Sequence, residues 1–186
     1  MRHLHFGKLF FVVFSLLLAY TVSARKPIKT LLITGQNNHN WQVSHVVLKQ
    51  ILENSGRFDV DFVISPEQGK DMSGFVLDFS PYQLVVLDYN GDSWPEETNR
   101  RFLEYVQNGG GVVIYHAADN AFSKWPEFNR ICALGGWEGR NENSGPYVYW
   151  KDGKLVKDSS AGPGGSHGRQ HEYVLNGRDK VHPVVK

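Results

Sequence analysis

The chain has 186 residues, with 20 Lys and Arg against 19 Asp and Glu, so its formal charge at pH 7 is +1. A near-neutral chain without a basic stripe lacks the electrostatic footprint of nucleic-acid binding, and we expect no nucleic-acid partner. The single cysteine, Cys132, excludes an intramolecular disulfide, so the fold must be stabilised by a hydrophobic core.

The first 24 residues have the pattern of an export signal. Arg2 and Lys8 precede an apolar run from Leu9 to Tyr20, and small residues before Arg25 suit cleavage. The run is shorter than the roughly 20 residues of a membrane-spanning helix. We therefore predict an exported protein, periplasmic or extracellular, that loses a signal peptide (1–24) and is not stably inserted in a membrane. The mature chain (25–186) loses two positive charges, carries −1 and has the length of one domain.

A strand and a helix are predicted directly after the signal. Lys29–Thr34 is a short apolar run, which predicts a buried first strand that ends at Gly35. Asn40 suits the N-cap of a helix that stops at Gly56. The helical positions predicted to face the core are Val43, Val47, Leu48, Ile51 and Leu52.

Three further strands and one helix follow. Phe58–Ile64 alternates and then becomes apolar, as in a strand near the edge of a sheet, and residues 84–88 predict a buried third strand. Pro95 suits the first turn of a helix that we expect to run to Gln107. Residues 112–115 are all apolar, which predicts a central fourth strand buried on both faces.

Strands that alternate with helices through short links predict an α/β fold, with a parallel sheet and helices on both faces. In the doubly wound order 2-1-3-4, the carboxyl ends of strands one, three and four lie next to one another, where such sheets bind ligands. The polar residues that follow these strands are Asn37, His39, Asp88, Asn90 and His116. Their convergence predicts a functional crevice at this edge of the sheet.

The pattern changes after Ala121, where aromatic residues and glycines dominate. Residues 147–150 and 154–156 flank Asp152-Gly153 and predict a hairpin. Ser159–Gly168 has the composition of a flexible loop, and Glu172–Leu175 predicts one more strand.

Histidines are the main candidates for chemistry. His39 and His116 are predicted to line the crevice, while His171 lies four residues after His167 and next to Glu172. Together His39, His116 and His171 would form a site for a divalent metal such as zinc. Alternatively, these imidazoles act as general acid and base or contact the substrate, and the sequence does not decide between these roles.

The polar and aromatic residues around the crevice suit a carbohydrate. Hydrogen-bonding groups for sugar hydroxyls are expected from Asn37, Asn40, Asp88, Asn90 and Glu172, and Trp41 offers an aromatic platform. Other candidate platforms are Trp94, Trp125, Trp137 and Trp150. For each tryptophan the alternative is packing in the core or its cover.

Several blocks, in consistent order, resemble the ThuA-like family, which is named for a trehalose-utilisation protein. They lie at 31–41 (LLITGQNNHNW), 84–94 (LVVLDYNGDSW), 109–122 (GGGVVIYHAADNAF), 125–129 (WPEFN), 135–137 (GGW), 171–173 (HEY) and 182–184 (HPV). The resemblance covers the chain from about Ile28 to its C-terminus. It implies a flavodoxin-like, doubly wound sheet related to class I glutamine amidotransferases.

The family resemblance implies a role in sugar metabolism, on disaccharides or their 3-keto derivatives, and metal-bound relatives exist. In the amidotransferases a cysteine nucleophile follows the fourth strand, whereas this chain has His116 there and Cys132 well downstream. The comparison therefore argues against glutaminase chemistry through a thiolate. Family members usually continue past the His-Pro-Val block, so we expect the chain to be truncated at its C-terminus.

Two functions are consistent with these patterns. The first is an exported enzyme of carbohydrate utilisation, a hydrolase or lyase for a glycoside or keto-sugar, with His116 and His39 as catalytic residues. The second is a non-catalytic carbohydrate-binding module that uses the same crevice. A purely structural role has the least support, because polar residues cluster after three strand ends.

Overall fold

A computed structural model of the chain describes residues 26–133, 145–163, 168–177 and 179–183. The described residues divide into two compact units, with the boundary between Phe122 and Ser123. Three sequence predictions lie outside the described residues, namely the signal peptide (1–24), Trp137 and His167.

The first unit is built on a four-stranded parallel sheet. Its strands are β1 (Ile28–Thr34), β2 (Phe58–Ile64), β3 (Leu84–Leu87) and β4 (Gly111–Ile114). They lie side by side in the order β2-β1-β3-β4, all parallel, so the predicted strand order is confirmed. This order places the carboxyl ends of β1, β3 and β4 next to one another.

Helices connect the strands as the apolar periodicity predicts. Helix α1 (Trp41–Asn54) follows β1, helix α2 (Glu96–Gln107) follows β3, and a short 3₁₀ helix (His116–Asn120) follows β4. Asn40 lies at the N-cap of α1, as predicted, but its side chain makes no capping hydrogen bond. The residue is exposed at this position.

Two apolar clusters hold the first unit together. Leu32, Val60 and Val86 project from three neighbouring strands and are almost fully buried, and Leu48 and Leu52 of α1 pack on them. Burying one such side chain contributes about 1.5–3 kcal/mol, so this layer fixes α1 on the sheet.

The second cluster is aromatic. The rings of Phe79 and Trp94 both contact the ring of Phe102 on α2, with centroids 5.5 and 5.8 Å away. Because Trp94 is only 3% exposed, it is a core residue and not a sugar platform.

The prediction that the fourth strand is buried on both faces is wrong. Among the described strands β4 is at the edge of the sheet, and Val113 is 46% exposed and Tyr115 41% exposed. An apolar run records the preference of the side chains for burial, whereas burial itself depends on what other segments pack against the strand.

The predicted core face of α1 is also partly wrong. Val43, Val47 and Ile51 are exposed, while Lys49 and Glu53 turn toward the backbone of Val60. These two side chains pair with each other and bond to the edge strand β2, so the face of α1 toward β2 is partly polar.

The second unit contains helix α3 (Pro126–Cys132) and a two-stranded antiparallel sheet, β5 (Tyr147–Lys151) with β6 (Lys154–Asp158). The predicted hairpin is confirmed, and both of its turn residues, Asp152 and Gly153, have positive φ as a tight hairpin turn requires.

The strand predicted at 172–175 does not form in the structure. Tyr173, Val174 and Leu175 are 74–84% exposed, and none of the described strands pairs with them. A short apolar run becomes a strand only when a partner strand accepts its hydrogen bonds.

None of the helices in the described residues is long and apolar enough to cross a membrane.

Candidate functional site

A buried carboxylate lies at the carboxyl edge of the sheet. Asp88 follows β3, and its backbone N–H donates to the carbonyl of Ile33, which extends the β1–β3 ladder by one bond. The residue is only 1% exposed. Its side chain accepts hydrogen bonds from Thr34 Oγ1 (3.4 Å), Asn37 Nδ2 (3.1 Å) and Ser44 Oγ (2.5 Å). One carboxylate thus joins the end of β1, the following loop and the first turn of α1.

Burial raises the pKa of Asp88 above its usual range, because a charge inside the protein is poorly solvated. The hydrogen bonds from Ser44, Thr34 and Asn37, together with the field of His45, oppose this effect. A buried carboxyl with three donors is a rigid support for the loop that it holds, and the Asn37 amide is fixed at the crevice through this bond.

Two imidazoles lie together in the segments that follow β1 and β4. The ring centroids of His39 and His116 are 4.6 Å apart, with 40° between the ring planes. His39 comes from the β1–α1 loop, where its backbone N–H donates to Asn37 Oδ1 at 3.0 Å. Both histidines are exposed, so both rings are accessible to a solute. The predicted convergence of these two residues is confirmed.

His116 has a strained backbone. Its φ is +46°, a left-handed conformation that costs an L-residue about 1–2 kcal/mol. The preceding residue is still held to the sheet, because Tyr115 N–H donates to the carbonyl of Leu87 at 2.9 Å. The sharp turn between β4 and the 3₁₀ helix therefore falls on the histidine. A strained residue at a strand-to-helix turn is the geometry by which α/β enzymes present a reactive side chain.

This strain gives a stability prediction. We expect His116→Gly to be more stable than His116→Ala, with a free energy of unfolding about 1 kcal/mol higher. Both variants lack the ring, and only alanine has a Cβ that opposes positive φ. Urea denaturation of the two purified variants measures the difference. Tyr115, with φ of −92°, provides the control pair, in which the alanine variant should be the more stable one. Equal stability of the two variants at 116 would contradict the strain.

The remaining crevice residues are polar and come from two loops. Asn90 Nδ2 donates to Asn38 Oδ1 at 3.3 Å, which ties the β3–α2 loop to the β1–α1 loop. Asn40 is exposed at the start of α1. Trp41 is half-buried, and its ring lies 5.8 Å from the ring of His45, so only part of the indole is available as a platform.

Sequence reasoning missed four residues of this edge: Thr34, Gln36, Asn38 and Ser44. Gln36 and Asn38 immediately flank the predicted site residue Asn37 and could have been found from that position, and Thr34 is the last residue of the predicted first strand. Ser44 has no such signal, because its contact with Asp88 depends on how α1 is seated on the sheet.

His171 and Glu172, the other predicted site residues, lie in the second unit and are exposed. His171 Nδ1 is 2.8 Å from the carbonyl of Arg169, and its ring contacts Tyr173. Within the residues that the structure describes, no group of three or more His, Cys, Asp or Glu side chains could hold a metal ion. The three-histidine metal site stays a prediction.

One cavity of about 580 Å³ lies at the opposite, amino-terminal edge of the sheet, beside Gln83, Tyr105 and Gly110. Its two guanidinium groups are already paired on α2. The partners of Arg100 are Glu97 and Glu104, and the partner of Arg101 is Glu97. The ligands of open α/β sheets bind at the carboxyl ends of the strands, which is the edge where His39 and His116 lie.

The carboxyl edge of this α/β sheet thus carries two adjacent histidines, a buried carboxylate and several carboxamides. No family model matches the chain, and no curated protein matches it.

Proposed function

We propose that the chain is a ThuA-like protein of carbohydrate utilisation, with a flavodoxin-like sheet related to class I glutamine amidotransferases. It is exported after loss of residues 1–24, and it acts on a disaccharide or keto-sugar by acid/base chemistry. The support is the set of sequence blocks from residue 31 onward, together with the parallel sheet whose order suits such a fold.

One observation carries the catalytic proposal, the contact between His39 and His116 at the carboxyl edge. An imidazole accepts a proton when neutral and donates one when charged, so two adjacent rings supply a base and an acid in one site. For a disaccharide, one ring takes a proton from a water molecule as its oxygen bonds to the anomeric carbon, and the other ring protonates the glycosidic oxygen as its bond to that carbon breaks. For a 3-keto-sugar, one ring takes the proton from the carbon beside the keto group, a carbon–carbon double bond forms, and the other ring protonates the leaving oxygen.

The carboxamides supply orientation. Asn37 is fixed by Asp88, and Asn90 is fixed by Asn38, so both amides have defined directions before a ligand arrives. Sugar hydroxyls are both donors and acceptors, and an amide offers both functions. Asn40 and Trp41, at the start of α1, complete the proposed substrate contacts within the first unit, and the role of Glu172 stays a prediction from the sequence.

A thiolate mechanism is not part of this proposal. The residue at the strained turn is His116, whereas Cys132 belongs to α3 in the second unit. The metal-assisted variant that the sequence predicts has His39, His116 and His171 as zinc ligands. The first two supply two nitrogen donors at one place, while catalytic zinc takes three protein ligands.

The proposal is tested with the purified chain and a panel of trehalose, other disaccharides and their 3-keto derivatives, with product detected by mass spectrometry. We expect turnover of at least one member. Elemental analysis before and after treatment with a chelator separates the metal-assisted variant from simple acid/base chemistry. If a sugar raises the melting temperature but no product forms on long incubation, the chain is a non-catalytic carbohydrate-binding module. If no sugar of the panel is turned over and none raises the melting temperature, the proposal is contradicted.

A further inference from the structure

Gln36 is buried, 4% exposed, two residues after the end of β1, and it connects three segments of the first unit. Its side-chain oxygen accepts from the backbone N–H of Asp92 at 2.7 Å, and its backbone carbonyl accepts from Asn90 N–H at 2.8 Å. Its Nε2 donates to the carbonyl of Pro66 at 2.8 Å. One residue of the β1–α1 loop therefore holds both the β3–α2 loop and the segment that follows β2.

The β3–α2 loop approaches Gln36 closely at Gly91. A Cβ added to Gly91 would lie 2.2 Å from Gln36 Oε1 and 2.4 Å from Gln36 Cβ, far inside contact distance. The glycine is thus needed for the β3–α2 loop to approach Gln36. The approach brings Asn90 to within hydrogen-bonding distance of Asn38, next to His39.

We propose that Gln36 is the positioning residue of the crevice, which sets the Asn90 amide opposite Asn38 and His39. It does not contact the sugar itself. Its role in sugar recognition rests on the function proposed above, whereas its role in fixing the two loops is independent of that function. Losing Gln36 separates the two walls of the crevice while the sheet and both histidines remain in place.

The experiment compares Gln36→Leu, Gln36→Glu and the control Thr98→Val. Leucine removes both polar functions, and glutamate keeps the acceptor for Asp92 N–H but loses the donor to Pro66. Thr98 is equally buried on α2, and it donates to Phe75 and accepts from Leu77, with no bond to either crevice loop. Thr98→Val therefore also removes buried hydrogen bonds in the first unit, but none that holds a loop of the proposed site.

Hydrogen exchange followed by NMR measures the two loop amides, Asn90 and Asp92, relative to amides of β1. In Gln36→Leu we expect the Asn90 and Asp92 amides to exchange about tenfold faster than in wild type, relative to the amides of β1. In Gln36→Glu the Asp92 amide should exchange as in wild type. In Thr98→Val the exchange of both loop amides relative to β1 should not change. Titration with trehalose and its 3-keto derivative should show about tenfold weaker binding for Gln36→Leu alone.

Unchanged relative exchange of both loop amides in Gln36→Leu overturns the positioning role. Faster exchange with sugar binding no weaker than in Thr98→Val overturns its part in recognition. If wild-type protein binds neither sugar, the proposed function fails, and the exchange result still decides whether Gln36 fixes the loops.

Discussion

Replacing His116 by asparagine is expected to lower kcat on the sugar that the wild-type chain turns over by about 10²–10⁴-fold, the usual contribution of a general acid or base. Asparagine tolerates positive φ better than most residues, so the strained turn is kept while the imidazole is lost. The loss then reports on chemistry and not on a displaced backbone. Steady-state kinetics at a temperature well below unfolding measures the effect.

His39→Asn is expected to produce a loss of similar order, because its ring is the partner of His116. The double variant should then lose little more than either single variant, as is usual for groups that act as one unit. His182→Asn is the matched control, since this exposed histidine lies in the second unit. Full activity in His116→Asn would show that the crevice is not the catalytic site.

Replacing Asp88 by leucine is expected to lower the free energy of unfolding by about 3 kcal/mol or more. The change leaves Thr34 and Ser44 hydroxyls and the Asn37 amide without their acceptor, close to a fully buried position. Asp88→Asn is the matched variant, expected to cost about 1 kcal/mol, because hydroxyls can rotate and the amide retains one acceptor oxygen. Urea denaturation measures both losses.

The difference in stability between wild type and Asp88→Asn is expected to depend on pH, because the pKa of Asp88 is raised in the folded protein. The folded protein keeps the Asp88 proton to higher pH than the unfolded chain, whose aspartates titrate near about 3.9. The stability contributed by that proton is therefore fully present below the unfolded pKa and is lost as pH rises through the folded pKa. We expect wild type to lose stability relative to Asp88→Asn across this interval. A difference that is constant from pH 3.5 to pH 7 would contradict the prediction.

The sequence predicted the elements of the first unit closely because apolar periodicity and turn residues are local signals. Phe58–Ile64 was predicted residue for residue, and the other three strands to within one residue at each end. The same signals failed for Glu172–Leu175, where strand formation needs a partner, and for the burial of Val113, which depends on what packs against β4. Burial and pairing are properties of neighbours in space.

The candidate site was predictable to the level of which loops meet. Once the strand order 2-1-3-4 is inferred, the residues after β1, β3 and β4 must lie at one edge, and Asn37, His39, Asp88, Asn90 and His116 do so. No pattern in the chain indicates which of them touch.

The sequence by itself determined the α/β class and the positions of the strands and helices, because these follow from local periodicity and from the length of the connections. Combined with the doubly wound strand order of such folds, it also indicated the edge at which polar residues gather. Only the tertiary structure decided that the His39 and His116 rings meet, that the strained turn falls on His116 and that Ser44 reaches Asp88. The reason is physical. Such contacts depend on shifts of an ångström in how strands register and how α1 is seated, and these shifts are set by the packing of the whole unit.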